Sequence, residues 1–299
     1  MLAQEAEARS AEAAARLFGL MAGSPNPVVR AAALLGADQR EALAIAARQT
    51  GDAAVYAFAL QACSREGAQP AACAQLSPLR MAALDPLNVV PWLWVAEEAE
   101  ASGNAQGVAE AVHRASLAVG SRLREYAFAD LALSAIPVDW PTRDVALASA
   151  HVLRIHADLR LPSYLAVFNH CSLENARDFN VRQTCDRLAR VLVERGDTIV
   201  DMGIGRRLGE RAGWPTETLE LLEARHTAYK RFALDFDTPA AGSSQGSCGQ
   251  LLRNVQKVLG HAREGEMHYA RGRRAELGIT DDQALLEFRK LRQAASAPR

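Results

Sequence analysis

The chain has 299 residues, with 34 basic and 35 acidic side chains and a net charge of −1, a balance that excludes the strong positive field of a general nucleic-acid binder. A composition of 49% hydrophobic and 23% charged residues is that of a folded chain, neither disordered nor built of many membrane spans. Alanine supplies 59 residues while aromatics reach only 6%, which favours helix over sandwiches, barrels and doubly wound sheets.

The first stretch, Met1 to Gly23, carries Glu5, Glu7 and Glu12, which the apolar core of a signal peptide would not contain. The expected location is therefore cytoplasmic, or periplasmic or secreted if a leader has been removed. From there to about residue 136, short helical stretches are separated by turn residues: Ser24 to Pro27, Gly36 to Asp38, Gly51-Asp52, Gly67 to Pro70, Asp85 to Asn88, Gly103-Asn104 and Gly120-Ser121. Helices of about a dozen residues joined by such short links must fold as antiparallel hairpins. Alanine falls from 42 in residues 1–150 to 17 in residues 151–299. We read this as a hairpin region over 1–136, a connecting segment over 137–162 and a region of longer helices over 163–299.

In the third region, apolar positions run from Leu173 and Phe179 to Met202, and Gly213-Trp214-Pro215 ends one helix and starts the next. Leu219, Leu222, His226, Tyr229, Ala233 and Phe236 then form an amphipathic stripe. The small, polar segment from Thr238 to Gly249 reads as a flexible loop. A single long helix is expected from Leu251 to Tyr269, followed by a last one capped by Thr280.

One segment, DPLNVVPWLWVAEEAEASGNAQGVAEAVHRA from Asp85 to Ala115, resembles a tetratricopeptide repeat. Asp85-Pro86 match the inter-repeat turn, Trp92, Val95, Ala96 and Ala99 the packing positions of the first helix, and Gly103-Asn104 the inner turn. A shift of 34 residues puts Phe58 and Tyr126 at the Trp92 position, although the flanking copies are degenerate. The resemblance implies an all-α fold of stacked hairpins forming a short solenoid, closed by longer packed C-terminal helices. It also implies a groove whose expected contact residues are Tyr56, Leu93, Glu97, Glu100 and Arg124. The acidic run Glu97, Glu98 and Glu100 suits a basic or amphipathic protein or peptide partner. The expected role is thus a non-enzymatic interaction or scaffold protein, with no cofactor and no membrane span.

Four cysteines fall in two close pairs, Cys63 with Cys73 and Cys171 with Cys185, and are expected to form structural disulfides, with Cys248 left over. The repeat register would turn Cys63 toward the groove and oppose the first pairing. The alternative functional reading is a helical metal-binding protein or hydrolase. There, His261, Glu264 and His268 would lie on one face of a continuous helix and supply metal ligands, although the two histidines stand two turns apart. Gly203, Gly205 and Gly209 superficially resemble a phosphate loop, but no strand precedes them, so close helix packing is the expectation. Arg271, Arg273 and Arg274 form the densest basic cluster.

Overall fold

The computed structural model describes residues 2–65, 70–233 and 248–296. Thr238 to Ala240 and the rest of the expected loop up to Ser247 lie outside the described residues, as does Phe236. Among the described residues the fold is all-α, with no strand. Sixteen helices follow in order: α1 (Leu2–Ala22), α2 (Pro27–Gly36), α3 (Arg40–Gln49), α4 (Ala53–Ser64), α5 (Pro78–Leu84), α6 (Val89–Ala101), α7 (Ala105–Ser116) and α8 (Ala127–Ser134). They continue with α9 (Thr142–Ala157), α10 (Leu165–His170), α11 (Phe179–Arg195), α12 (Ile199–Ala212), α13 (Thr216–Ala233), α14 (Cys248–Glu264), α15 (Glu266–Glu276) and α16 (Asp281–Ser296).

The boundaries follow from local chemistry. Asn26, Asp52, Ser77, Asn88, Asn104 and Asp178 each precede a helix, and each side chain accepts from a backbone N–H of the first turn, satisfying a donor that has no partner inside the helix. Thr280 caps α16 as expected, accepting from Gln283 N at 3.3 Å while the Gln283 side chain accepts from Thr280 N at 2.8 Å. The expected long helix after Leu251 is interrupted. Gly265 adopts φ +84° and separates α14 from α15, a left-handed conformation that costs glycine little.

The helices form two compact units that are not contiguous in sequence. The first comprises residues 1–85, 123–161 and 236–263, and the second residues 86–122, 162–235 and 264–299. In the first unit α1 packs on α2 and α9, α4 on α2 and α3, and α8 on α2 and α9. Its core is fine-grained: Leu17, Phe18, Leu35, Phe58, Met81 and Phe128 are buried among alanines such as Ala32, Ala44, Ala59 and Ala132. Small residues between the large ones let the helix axes approach closely. Gln61 is buried among them, and its amide pairs with one peptide unit: Nε2 donates to Arg160 O at 2.7 Å and Arg160 N donates to Oε1 at 2.8 Å. The segment just after α9 is thereby tied to α4 without leaving a buried amide unsatisfied.

The second unit is built on the hairpin α6–α7, against which α10 and α11 pack, and on the α11–α12 pair, which α13 extends. Ala96 and Ala115, each 1% exposed, sit inside the hairpin, and Trp92 packs on the same core while its Nε1 donates to Pro86 O at 2.9 Å. Gly205 is a packing glycine, as expected: a Cβ there would meet Ala189 O and Val193 Cγ2 at 2.8 Å, so α12 crosses α11 at a distance no side chain would allow. Leu173 and Phe179 depart from the expected stripe and are exposed, because the first lies before the helix and the second is its first residue.

Both expected disulfides are formed. Cys63 at the end of α4 is bonded to Cys73, with Cα atoms 5.6 Å apart, inside the first unit. Cys171 after α10 is bonded to Cys185 in α11, with Cα atoms 5.9 Å apart, inside the second. In each case the two backbones stand at the separation a disulfide requires.

Candidate functional site

The five residues expected to face a groove are divided between the units. Tyr56 and Arg124 belong to the first and Leu93, Glu97 and Glu100 to the second. Tyr56 is buried, and its hydroxyl accepts from Ser77 N at 3.0 Å. Arg124 Nε is paired with Asp85 at 2.8 Å. Leu93 is fully buried in the α6–α7 core, its side chain spent on packing.

Glu97 and Glu100, three residues apart on one face of α6, meet the chain's own following segment. Glu97 Oε2 accepts from Ser163 N at 3.2 Å, and Glu100 Oε1 accepts from Asn169 Nδ2 at 2.5 Å. The acidic face of α6 is thus engaged at both ends by residues 163–169, which include α10. Between them the hairpin and α10 leave a cleft of about 300 Å³. Val108 and Ala166 form its apolar floor, and Glu100, Asn169, His170 and Asn175 its rim. Burial holds His170 below the usual histidine range, so at neutral pH the imidazole is uncharged and Glu100 supplies the cleft's charge.

The most elaborate polar arrangement was invisible as a site in the sequence. Asp201, 2% exposed, closes a capping box with Thr198 at the start of α12. Its carboxylate accepts from Thr198 N at 3.1 Å, from Ser121 Oγ at 3.2 Å and from the Tyr164 hydroxyl. Burial raises the acid's pKa, and the donors oppose that shift. Nearby, Glu266 at the start of α15 accepts from Ile199 N at 3.0 Å, and burial raises its pKa also. This pair joins α12, α15 and the segments carrying Ser121 and Tyr164. The one local signal was the Thr-x-x-Asp spacing of a capping box.

The alternative metal triad is not assembled on one helix face. His261 and Glu264 end α14 whereas His268 lies in α15, beyond the break at Gly265. His261 is buried and His268 exposed. Among the described residues no three of His, Cys, Asp and Glu are grouped so as to hold a metal ion. Of the three arginines, Arg271 and Arg274, three residues apart, line one cavity, with Arg274 buried, whereas Arg273 pairs with Glu276.

No family model matches the chain, and no curated protein or solved structure matches it. No helix among the described residues is long and apolar enough to cross a membrane.

Proposed function

We propose that the protein is a non-enzymatic partner-binding protein that holds a basic segment of another protein at the α6–α7 hairpin, a hairpin that resembles a tetratricopeptide repeat. The observation that carries this reading is the cleft beside Glu100. It combines one carboxylate, two asparagine amides and an apolar floor in a volume suited to one long cationic side chain. A lysine or arginine entering it would lay its methylenes on Val108 and Ala166 and bring its charge to Glu100. Glu98, exposed on the same helix, adds to the field that would draw a basic partner. The two disulfides support a setting in an oxidising compartment, where such bonds persist.

The test is an array of degenerate octapeptides probed with the purified protein and with two variants of positions lining the cleft, Glu100→Arg at a half-buried site and Ala105→Trp at an exposed one. The expected result is selection of lysine or arginine at one position, weakened by added salt and lost in both variants. Equal signals from all three proteins would overturn the reading.

A further inference from the structure

Within the second unit, α13, α15 and the start of α16 surround a cavity of about 450 Å³, in the size range of small-molecule sites. Its lining combines apolar side chains, Val193, Met202, Leu222 and Ile279, with three arginines, Arg225, Arg271 and Arg274, beside Tyr229 and Asp281. A lining of both kinds suits an amphipathic small molecule, whose two halves must be desolvated against unlike surfaces.

The basic part of the lining is rigid. Asp281 is held between two arginines: Arg225 Nε donates to Oδ1 at 3.0 Å and its Nη2 contacts Oδ2, while Arg274 Nη2 lies 2.5 Å from Oδ1. Arg274 is only 9% exposed, and its remaining edges are fixed by Ile279 O, at 2.8 Å from Nε, and by the Tyr229 hydroxyl, at 3.5 Å from Nη1. Two cations sharing one anion leave one positive charge. Arg271, which has no ion-pair partner among the described residues, adds a second at an exposed position of the same lining. The N-terminus of α16, which begins at Asp281, contributes partial positive charge in the same place.

We propose that this cavity binds an amphipathic organic anion, with a phosphate or carboxylate head at Arg271 and the Arg225–Asp281–Arg274 cluster and an apolar body along Val193, Met202, Leu222 and Ile279. The Arg271 fork can pair with two oxygens of either head, while the Arg225–Asp281–Arg274 cluster supplies net positive charge beside it. The double positive charge favours the dianionic phosphate. The site is independent of the cleft at Glu100.

The test is calorimetric titration of the full chain with octyl phosphate, octanoate, octanol and inorganic phosphate. One-to-one binding of an octyl anion, at least tenfold tighter than octanol and than inorganic phosphate, is the expected result. Octyl phosphate ahead of octanoate assigns a phosphate head, and the reverse order a carboxylate head. Arg271→Ala should weaken the anion about tenfold, and Ala275→Trp, at an exposed position lining the cavity, should abolish binding, both with unchanged thermal melting. Octanol binding as tightly as the anions would overturn the head-group assignment. Inorganic phosphate binding as tightly as octyl phosphate would overturn the apolar one, and unaltered affinity in both variants would overturn the location.

Discussion

The two units differ in which titratable groups burial shifts: both bury histidines whose pKa falls, and among the described residues only the second also buries acids whose pKa rises. The first holds His156 and His261, whose pKa values burial depresses to about 4; the second holds Asp201 and Glu266, whose values burial raises. All four are kept closer to neutrality than they would be in water, for the same reason: a low-dielectric surrounding penalises the charged form. The consequences for stability run in opposite directions. A histidine that must gain a proton to match its unfolded state resists acid poorly, whereas a carboxyl group that prefers its proton resists base poorly. Similar helical packing thus gives the first unit an acid liability, while the second adds an alkaline one to the acid liability of His170 and His226.

The sharpest way to break the comparison is Asp201→Ala. It removes the acceptor from Thr198 N, Ser121 Oγ and Tyr164 at once, and is expected to cost about 3–5 kcal/mol in urea unfolding. A loss under about 1 kcal/mol would show that water replaces the carboxylate. Next are the disulfides, expected to contribute about 3 kcal/mol each. Alkylation without reduction followed by mass spectrometry should find Cys63, Cys73, Cys171 and Cys185 protected, and serine pairs at either bond should lower the unfolding midpoint.

The acid limb is expected to be of the order of 2–3 kcal/mol for each histidine. Their stabilisation is complete above the unfolded value of 6.5 and is lost as pH falls toward about 4. Asp201 and Glu266 contribute in the reverse sense, most below their ordinary values of 3.8 and 4.5, with the contribution lost as pH rises through the raised ones. Thermal melts of His156→Gln between pH 4 and 7 should flatten the acid limb; an unchanged profile would place the liability elsewhere. The smallest effect is expected for Arg114→Ala, which removes an exposed pair with Glu110 at 2.7 Å and should change stability by less than about 0.5 kcal/mol.

What was legible in the sequence was local. The turn residues of the described segments, the Thr280 cap, the hairpin from Asp85 to Ala115 and the packing role of Gly205 all follow from residues within one or two turns of each other, whereas the turn expected at Gly67 lies outside the described residues. The cysteine pairs were legible because each spans a short separation, 10 and 14 residues. Partnerships between distant residues were not. Asp201 meets Ser121 across 80 residues and Tyr164 across 37, and no spacing rule connects them. The acidic face of α6 read as open because nothing in its own sequence shows that Ser163 and Asn169 come back to lie on it. Arg271, Arg273 and Arg274 read as one cluster although α15 brings only Arg271 and Arg274 to the same cavity and turns Arg273 to Glu276. The break at Gly265 was missed for a related reason: the residues on both sides keep helical periodicity, and one glycine is often carried inside a helix.

The interleaving of the two units bears on how the polypeptide is made. The backbone passes from one unit to the other after residues 85, 122, 161, 235 and 263, so neither unit is formed by one contiguous stretch. As the chain leaves the ribosome, the first unit cannot be completed until residues up to 263 have emerged, by which time most of the second is already outside. The nascent segment from α1 to α5 therefore emerges before α8 and α9, the helices that pack on α1 and α2.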